Sequence, residues 1–312
     1  MKKNIKKNIF DYFFILRPFI LIPVINFFLI GKYLANGNRF NMQTLIGLML
    51  YTLMMGGVYI LNQITDVETD RLNKKLFLLS EDYLPLKNAY IEMFSIWSAV
   101  LLGAYLWNIN FFILMVISLT LGILYSLPPF KLKGKPILDM LSNGFGYGIL
   151  NFFAGWLIES PFAWEVGLKF LPYFFCICAV FINTTIVDLE GDKKAGEITT
   201  AVFLGEKFAY FLASVLMLTG FILSILYQDL ICLIPSGLSL PLFFYLTFYF
   251  LKYKKSMRKI AILSFRLPGL IFTIITCILY PGYIPFLMVL ILSMRIYYKK
   301  RFNLEYPTLT HG

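Results

Sequence analysis

Two stretches of this 312-residue chain place carboxylates at the same spacing. The first contains Asn62, Asp66 and Asp70, and the second contains Asp188 and Asp192. Residues four apart share one face of an α-helix, so each stretch predicts a stripe of oxygen donors. Neighbouring carboxylates on one face repel each other, and the arrangement becomes favourable when a cation lies between them.

Two such stripes facing each other would form a carboxylate-lined chamber for Mg²⁺. This hard cation keeps several waters and bridges carboxylates to the phosphate groups of substrates. A diphosphate is therefore the natural ligand of such a chamber. The candidate metal ligands are Asp66, Asp70, Asp188 and Asp192.

A plainer interpretation of both motifs remains open. Acidic residues at helix ends are often solvated, or they pair with nearby bases to little energetic effect. The bases available here are Arg71, Lys74, Lys193 and Lys194. Two matched motifs make this interpretation weaker than it is for either motif alone.

Basic residues could bind the same anion. A segment that begins at Tyr125 contains a Pro-Pro pair, which ends a helix, and then Lys131 and Lys133. Alternating lysines in an extended segment can project toward a common anion. Arg17 precedes Pro18 at the start of the first apolar run, where an arginine can also serve only to set the topology.

The composition indicates which elements must position these residues. Hydrophobic residues make up 59% of the chain and charged residues 14%. Soluble domains have ~45–50% apolar and ~25% charged residues, so soluble and disordered classes are both excluded. Long continuous apolar runs favour helices over the alternating strands of a barrel. We therefore expect an all-α fold, a polytopic membrane helical bundle.

Nine apolar runs predict membrane spans, and a shorter tenth run follows them. The predicted spans are residues 19–35, 42–62, 90–107, 111–127, 138–158, 168–187, 208–227, 230–251 and 267–279, followed by 283–298. The tenth run is either a true span or an interfacial C-terminal helix. The chain is thus expected to form nine or ten transmembrane helices in a single domain of residues 1–312.

The basic residues predict the orientation of the bundle. Of the 28 Lys and Arg residues, 21 lie before the first span or in the loops after the second, fourth, sixth and eighth spans. Only 3 lie in the loops after odd-numbered spans. Cytoplasmic loops retain positive charge, so the N-terminus and the even-numbered loops are expected to face the cytoplasm of a cell-membrane protein. The net charge of +11 then reports topology and not a nucleic-acid partner.

Cysteine and histidine contribute little to the predicted chemistry. Cys176, Cys178, Cys232 and Cys277 lie in apolar runs, where they act as small hydrophobic side chains. The one histidine is His311, the penultimate residue. Any reaction must therefore use carboxylates, lysine, arginine, tyrosine or a bound cation.

Four sequence patterns follow one another along nearly the whole chain. They are an early Arg-Pro, Asn-x-x-x-Asp-x-x-x-Asp after the second span, Tyr-Ser-x-Pro-Pro-x-Lys-x-Lys after the fourth, and Asp-x-x-Gly-Asp-x-x-x-Gly-x-x-Thr after the sixth. In this respect the chain resembles the UbiA superfamily of intramembrane prenyltransferases. The resemblance implies helices around a central cavity, with Mg²⁺ and a prenyl diphosphate bound under cytoplasmic loops.

The resemblance also implies roles for individual residues. The residues that would bind the diphosphate through Mg²⁺ are Asn62 and the catalytic carboxylates Asp66, Asp70, Asp188 and Asp192. Direct contact with phosphate is implied for Lys131, Lys133 and Arg17. Tyr125 is a candidate aromatic side chain for stabilising the cationic allylic carbon. The implied reaction transfers a prenyl group to an aromatic or other lipid-precursor acceptor.

The chain departs from the family pattern in three places. Gln63 stands where many members have Asp. Residues 74–79 read Lys-Lys-Leu-Phe-Leu-Leu where members usually have Arg-Pro. The tenth apolar run exceeds the usual nine spans.

Two other classes of function use similar residues. A transporter could use the paired carboxylates as cation or proton sites, although transporters usually place such groups near the bilayer midplane. A phosphatidyl-type transferase also uses Mg²⁺ and membrane aspartates, but its compact Asp-Gly-x-x-Ala-Arg pattern is absent from this sequence. The acceptor stays open among quinone precursors, chlorins, glycerol-phosphate lipids and sugar phosphates.

Overall fold

The computed structural model describes residues 8–72 and 77–306, which contain helices and no β-strand. The helices of the first half are α1 (Phe10–Phe14), α2 (Pro18–Asn36), α3 (Met42–Thr65), α4 (Val67–Leu72), α5 (Phe77–Ser80), α6 (Leu86–Trp107) and α7 (Ile109–Ser126). Lys74 and Lys75, in the family departure at 74–79, lie outside the described residues, as does His311.

The second half begins with an interrupted helix. Its pieces are α8 (Leu138–Phe145), a π-helical turn (Gly146–Leu150) and α9 (Asn151–Trp156). The remaining helices are α10 (Trp164–Lys169), α11 (Leu171–Lys194), α12 (Thr200–Leu226), α13 (Leu230–Tyr253), α14 (Arg258–Leu279) and α15 (Tyr283–Phe302).

The prediction of an all-α membrane bundle is confirmed. Within the described ranges, eight helices are long and apolar enough to cross a membrane: α2, α3, α6, α7, α11, α12, α13 and α14. The predicted span 138–158 corresponds to the interrupted helix α8–α9, and the tenth apolar run forms α15.

Several predicted boundaries were wrong because hydropathy marks only the apolar part of a helix. Helix α11 continues seven residues past the predicted end of its span, through the second acidic motif to Lys194. Helix α14 begins at Arg258, nine residues before its predicted start. Backbone hydrogen bonds continue a helix into the polar interface whatever its side chains. The second acidic motif therefore lies on a helix and not in a loop.

Helix α2 is the most buried of the eight spans and packs closely against α9. A Cβ atom added at Gly155 would lie 1.8 Å from the backbone oxygen of Phe28, and one at Gly31 would lie 2.1 Å from that of Phe152. The two backbones are thus in direct contact. Small residues permit this approach between membrane helices, where dispersion contacts replace the hydrophobic effect as the driving force.

One buried carboxylate connects the starts of α8 and α12. Asp139 is fully buried and accepts hydrogen bonds from the backbone N–H of Thr200 at 2.8 Å and from the Thr200 hydroxyl. The Thr200 hydroxyl oxygen in turn accepts from the backbone N–H of Ile137 at 2.7 Å. The segment after the fourth span and the segment after the second acidic motif are therefore held together.

The contact between α2 and α9 predicts that Gly155→Ala destabilises the protein. The added methyl group meets backbone and cannot be relieved by a side-chain rotation, so we expect a loss of about 1–3 kcal/mol. The matched control is Gly269→Ala in α14, where an added Cβ meets nothing within 4 Å. Thermal unfolding of the two purified variants measures the difference, and equal midpoints would contradict this packing.

The Asp139–Thr200 connection predicts that Asp139→Leu loosens the segment after α11. The substitution leaves buried donors of Thr200 without a partner, which costs about 1–3 kcal/mol for each such group. Trypsin should then cut faster after the exposed Lys193 and Lys194. Cutting after Lys254 and Lys255, which are also exposed, provides the internal control and should not change.

Candidate active site

The two acidic motifs line a single cavity of about 530 Å³ at one end of the bundle. It is lined by the aspartates of both motifs, Asp66, Asp70, Asp188 and Asp192, together with Asn62, Glu190 and Glu197. We call this cavity the acidic mouth. The structure therefore brings together five residues that the spacing of the two motifs singled out.

The first motif does not form the single helical stripe that its spacing predicts. Helix α3 ends at Thr65, and Asp66 occupies the C-cap position with a non-helical φ of −107°. Helix α4 begins at the next residue, and the Asp70 N–H still donates to the Asp66 backbone oxygen at 2.7 Å. Both carboxylates line the mouth despite the break.

The two aspartates of the second motif lie on one continuous helix, α11. Asp188 and Asp192 lie one turn apart in its last two turns, as their spacing predicts. The hydroxyl of Thr199 donates to Oδ2 of Asp192 at 3.1 Å. Thr199 itself lines the mouth, so the last residue of the motif orients its carboxylate.

The two predicted phosphate-binding lysines contact different carboxylates. The ammonium group of Lys133 forms an ion pair with Asp66, and its side chain is only 8% exposed. Lys131 Nζ lies 2.8 Å from Oε1 of Glu197. The expectation of an extended segment was wrong, because Leu132–Gly134 forms a 3₁₀ turn that separates the two side chains. Only Lys133 lines the mouth directly.

The donors of the mouth fit Mg²⁺ by chemistry. Carboxylate and amide oxygens are the hard ligands that this ion prefers, and it commonly shares its coordination with water and phosphate oxygens. Across the described ranges, no three acidic, cysteine or histidine side chains converge closely enough to hold a metal ion by themselves.

Arg258 is a residue of the mouth that the sequence analysis missed. It begins α14, and its Nη1 donates to the backbone oxygen of Val187 at 3.1 Å. Arg258 therefore lines the mouth together with Asp188, the residue that follows Val187. The sequence contains the signal, since Arg258 belongs to the basic stretch after the eighth span, but that stretch was interpreted only as a mark of topology.

A second cavity of about 510 Å³ continues from the mouth into the bundle. We call it the inner chamber. The residues that line both cavities are Asn62, Tyr125, Phe181, Thr184 and Asp188. Tyr125 thus lies at the junction of the polar and apolar cavities. The sequence analysis named it as a candidate for stabilising a cationic allylic carbon. Arg17 lines the inner chamber and not the mouth.

The inner chamber is long and mostly apolar. Its far end is marked by Tyr51, whose hydroxyl donates to Oδ1 of Asn151 at 2.9 Å. Tyr51 precedes Asn62 by eleven residues on α3, which places it about 16 Å deeper. Between these ends the hydroxyls of Tyr59 and Tyr147 form a hydrogen bond. The apolar part of the wall is formed by Ile20, Met55, Val58, Leu121, Leu150 and Phe265.

The fold is similar to that of a solved protein from Archaeoglobus fulgidus, a UbiA homolog bound to GPP and Mg²⁺. The two structures superpose with a TM-score of 0.65 over 85% of this chain and 99% of the other, at 22% sequence identity. At this identity, the likeness shows a common fold.

Several curated relatives are plant enzymes. The chain is 29% identical over 225 residues to 2-acyl-4-prenylphloroglucinol 6-prenyltransferase of Humulus lupulus, which covers 67% of this chain and 54% of that protein. It is 31% identical over 189 residues to homogentisate solanesyltransferase of Arabidopsis thaliana, covering 56% of this chain and 48% of that protein. The chain thus spans about half the length of the curated relatives it matches.

The similarity extends along most of the sequence. Residues 24–270 match the UbiA prenyltransferase family, well over half of the chain, and this range contains both acidic motifs and the basic segment between them. The resemblance inferred from the motifs is therefore confirmed, and this protein belongs to the UbiA prenyltransferase family.

Proposed function

We propose that this protein transfers a prenyl group from a prenyl diphosphate to an aromatic acceptor within the membrane. The observation that carries the proposal is that the acidic mouth opens directly into the long inner chamber. A prenyl diphosphate has the same two parts, a charged head and an apolar chain. The names of the plant relatives, which are prenyl-transferring enzymes, and the GPP and Mg²⁺ bound to the archaeal homolog support it.

The diphosphate belongs in the acidic mouth. Asp66, Asp70, Asp188 and Asp192, with Asn62, would hold Mg²⁺ together with the phosphate oxygens. When bound, the ion supplies positive charge that stabilises the departing diphosphate. These assignments are those expected from the two motifs.

The chain's own cations act on the same leaving group. Lys133 donates from the Asp66 side of the mouth, and Arg258 from the Asp188 side. Lys131 forms an ion pair with Glu197 in this structure. Its ammonium group contacts the diphosphate when this ion pair breaks. Donors placed in advance around the developing charge lower the barrier because they need little reorganisation.

The reaction itself takes place where the two cavities join. The bond between the allylic carbon and the diphosphate oxygen breaks, and its electron pair leaves with the diphosphate. The cationic carbon is faced by the Tyr125 ring and then bonds to a ring carbon of the acceptor. That ring carbon loses its proton to Asp188, the carboxylate that lines both cavities. The apolar chamber keeps water from the cation.

The acceptor is proposed to be aromatic because the named plant relatives act on homogentisate and on an acylphloroglucinol. Arg17, which lines the inner chamber with Asn62, contacts the diphosphate from the chamber side, as the family resemblance implies. The whole chain then acts as one integral-membrane prenyltransferase domain. The excess of Lys and Arg near the mouth supports a cytoplasmic mouth in a cell-membrane protein.

A transporter has less support from the geometry. Its ionisable groups would lie near the bilayer midplane, but Asp66 is at the end of α3 and Asp192 is in the last turn of α11. Purified protein in liposomes distinguishes the two functions, since a transporter gives ion flux without a prenylated product.

The proposal predicts that Asp66→Ala and Asp192→Ala each lower prenyl transfer by at least about a hundredfold, because each removes an oxygen donor for the metal–diphosphate complex. The assay uses labelled prenyl diphosphate, Mg²⁺ and purified protein, with product detected by mass spectrometry against a panel of aromatic acceptors. Glu165→Ala, an exposed carboxylate in α10 away from the mouth, is the matched control and should keep full activity.

Metal removal gives an independent prediction. Chelation with EDTA should abolish transfer, and added Mg²⁺ should restore it, because the diphosphate then regains its neutralising cation. Full activity of both aspartate variants, or transfer that persists in EDTA, would contradict the assignment of the mouth. Absence of any prenylated product from the wild type would contradict the proposed function itself.

A further inference from the structure

Arg17 has an unusual backbone conformation at the turn between α1 and α2. Its φ of 56° and ψ of 62° are left-handed, which is unfavourable for a residue with a Cβ atom. Such conformations persist only where the surrounding structure enforces them, and they concentrate at functional sites. The side chain of Arg17 lines the inner chamber. The contacts that enforce the turn therefore decide whether this guanidinium reaches the chamber.

The first of these contacts comes from Gln63 on α3. Gln63 is 2% exposed, and its Nε2 donates to the backbone oxygen of Ile15 at 2.7 Å and to that of Tyr59 at 3.0 Å. Both partners accept hydrogen bonds, so only the NH₂ end of an amide satisfies them. The aspartate that many family members carry at this position could not donate to Ile15 when ionised. Gln63 thus holds the chain two residues before Arg17.

The second contact comes from the end of α15. Asp11 in α1 is 1% exposed and accepts from Arg301 twice, at 2.7 Å from Nη2 and 3.1 Å from Nε. The Tyr297 hydroxyl donates to the same carboxylate at 2.5 Å, and the Tyr297 ring stacks on Phe14 at 3.8 Å. A two-point arginine–carboxylate pair defines orientation as well as distance. The tenth apolar run of the sequence therefore ends in a connection to α1.

The chain beyond α15 extends this connection to the other side of the turn. The guanidinium of Arg301 lies 4.6 Å from the centre of the Tyr83 ring. Tyr306 packs its ring against Phe19, with 5.7 Å between ring centres. The C-terminal segment thus contacts α1 before Arg17 and α2 after it.

We propose that Gln63 and the Asp11–Arg301 pair are positioning residues that hold Arg17 in the inner chamber, and that α15 acts as a strap across the α1–α2 turn. The proposal rests on the proposed function, in which Arg17 binds substrate. It gives a role to two features that depart from the family pattern, the glutamine in the first motif and the additional C-terminal helix.

The test is a double-mutant cycle on the KM for prenyl diphosphate. Arg17→Gln should raise this KM about tenfold, the effect of losing one charged hydrogen bond. Gln63→Met, which keeps the length of the side chain but cannot donate, should raise it in the same direction, as should Asp11→Asn. In the Arg17→Gln background, each second substitution should change KM by less than about twofold, because the guanidinium group that it would misplace is already absent.

A control variant tests whether the loss of buried hydrogen bonds elsewhere in the bundle also changes the KM. Thr247→Val removes contacts to Ser214 at 2.8 Å and to the Tyr210 backbone oxygen at 3.0 Å, between α12 and α13. It should leave the KM unchanged. Additive effects of Gln63→Met and Arg17→Gln, or an equal effect of Thr247→Val, would overturn the positioning role.

Binding of inorganic diphosphate with Mg²⁺, measured by calorimetry, separates this proposal from the proposed function. If the wild type binds diphosphate but transfers no prenyl group, the proposed reaction fails while the cycle can still be completed on Kd. Weaker binding in Gln63→Met that disappears in the Arg17→Gln background supports positioning. Unchanged binding in Gln63→Met and Asp11→Asn overturns it.

Discussion

Mutual repulsion among carboxylates at the end of an apolar bundle is the constraint on which the rest of this structure depends. Four aspartates line one mouth, and the adjoining chamber offers them little solvation. Three cationic groups from two segments offset this repulsion: Lys133 on Asp66, Lys131 on Glu197 and Arg258 beside Asp188. The mouth therefore contains both negatively and positively charged side chains of the protein itself. Under the proposed function, a metal–diphosphate complex, which also carries both signs, would replace these contacts without the burial of new charge.

Holding those charges in place requires the segments between helices to be rigid. A buried carboxylate, Asp139, joins the segment after α7 to the start of α12, and Thr199 orients Asp192 one residue earlier. Beside the inner chamber, Gln63 holds the turn that carries Arg17. These side chains make their bonds to backbone groups or to each other, and few of them are exposed. They act on the substrate only through the residues that they position.

The scaffold below the mouth meets a different requirement. The direct contact between α2 and α9 at Gly31 and Gly155 draws the bundle together on one side. The wall of the chamber has Tyr125 near the mouth and Tyr51 near the far end. Glycines allow the backbones of α2 and α9 to meet, whereas aromatic side chains line the cavity. The same bundle can therefore be rigid and still hold a chain-shaped apolar ligand.

The sequence alone determined the membrane bundle, the two carboxylate motifs and the family, because hydropathy and short spacings are local properties of the chain. Even so, it did not predict the break at Asp66, since a C-cap depends on what the next segment packs against. Nor did it predict that Lys131 and Lys133 pair with different carboxylates, because Glu197 and Asp66 lie far from them along the chain in opposite directions. Only the tertiary structure assigned Gln63 to Ile15 and Asp11 to Arg301, because contacts across 48 and 290 positions leave no periodic pattern in a single sequence.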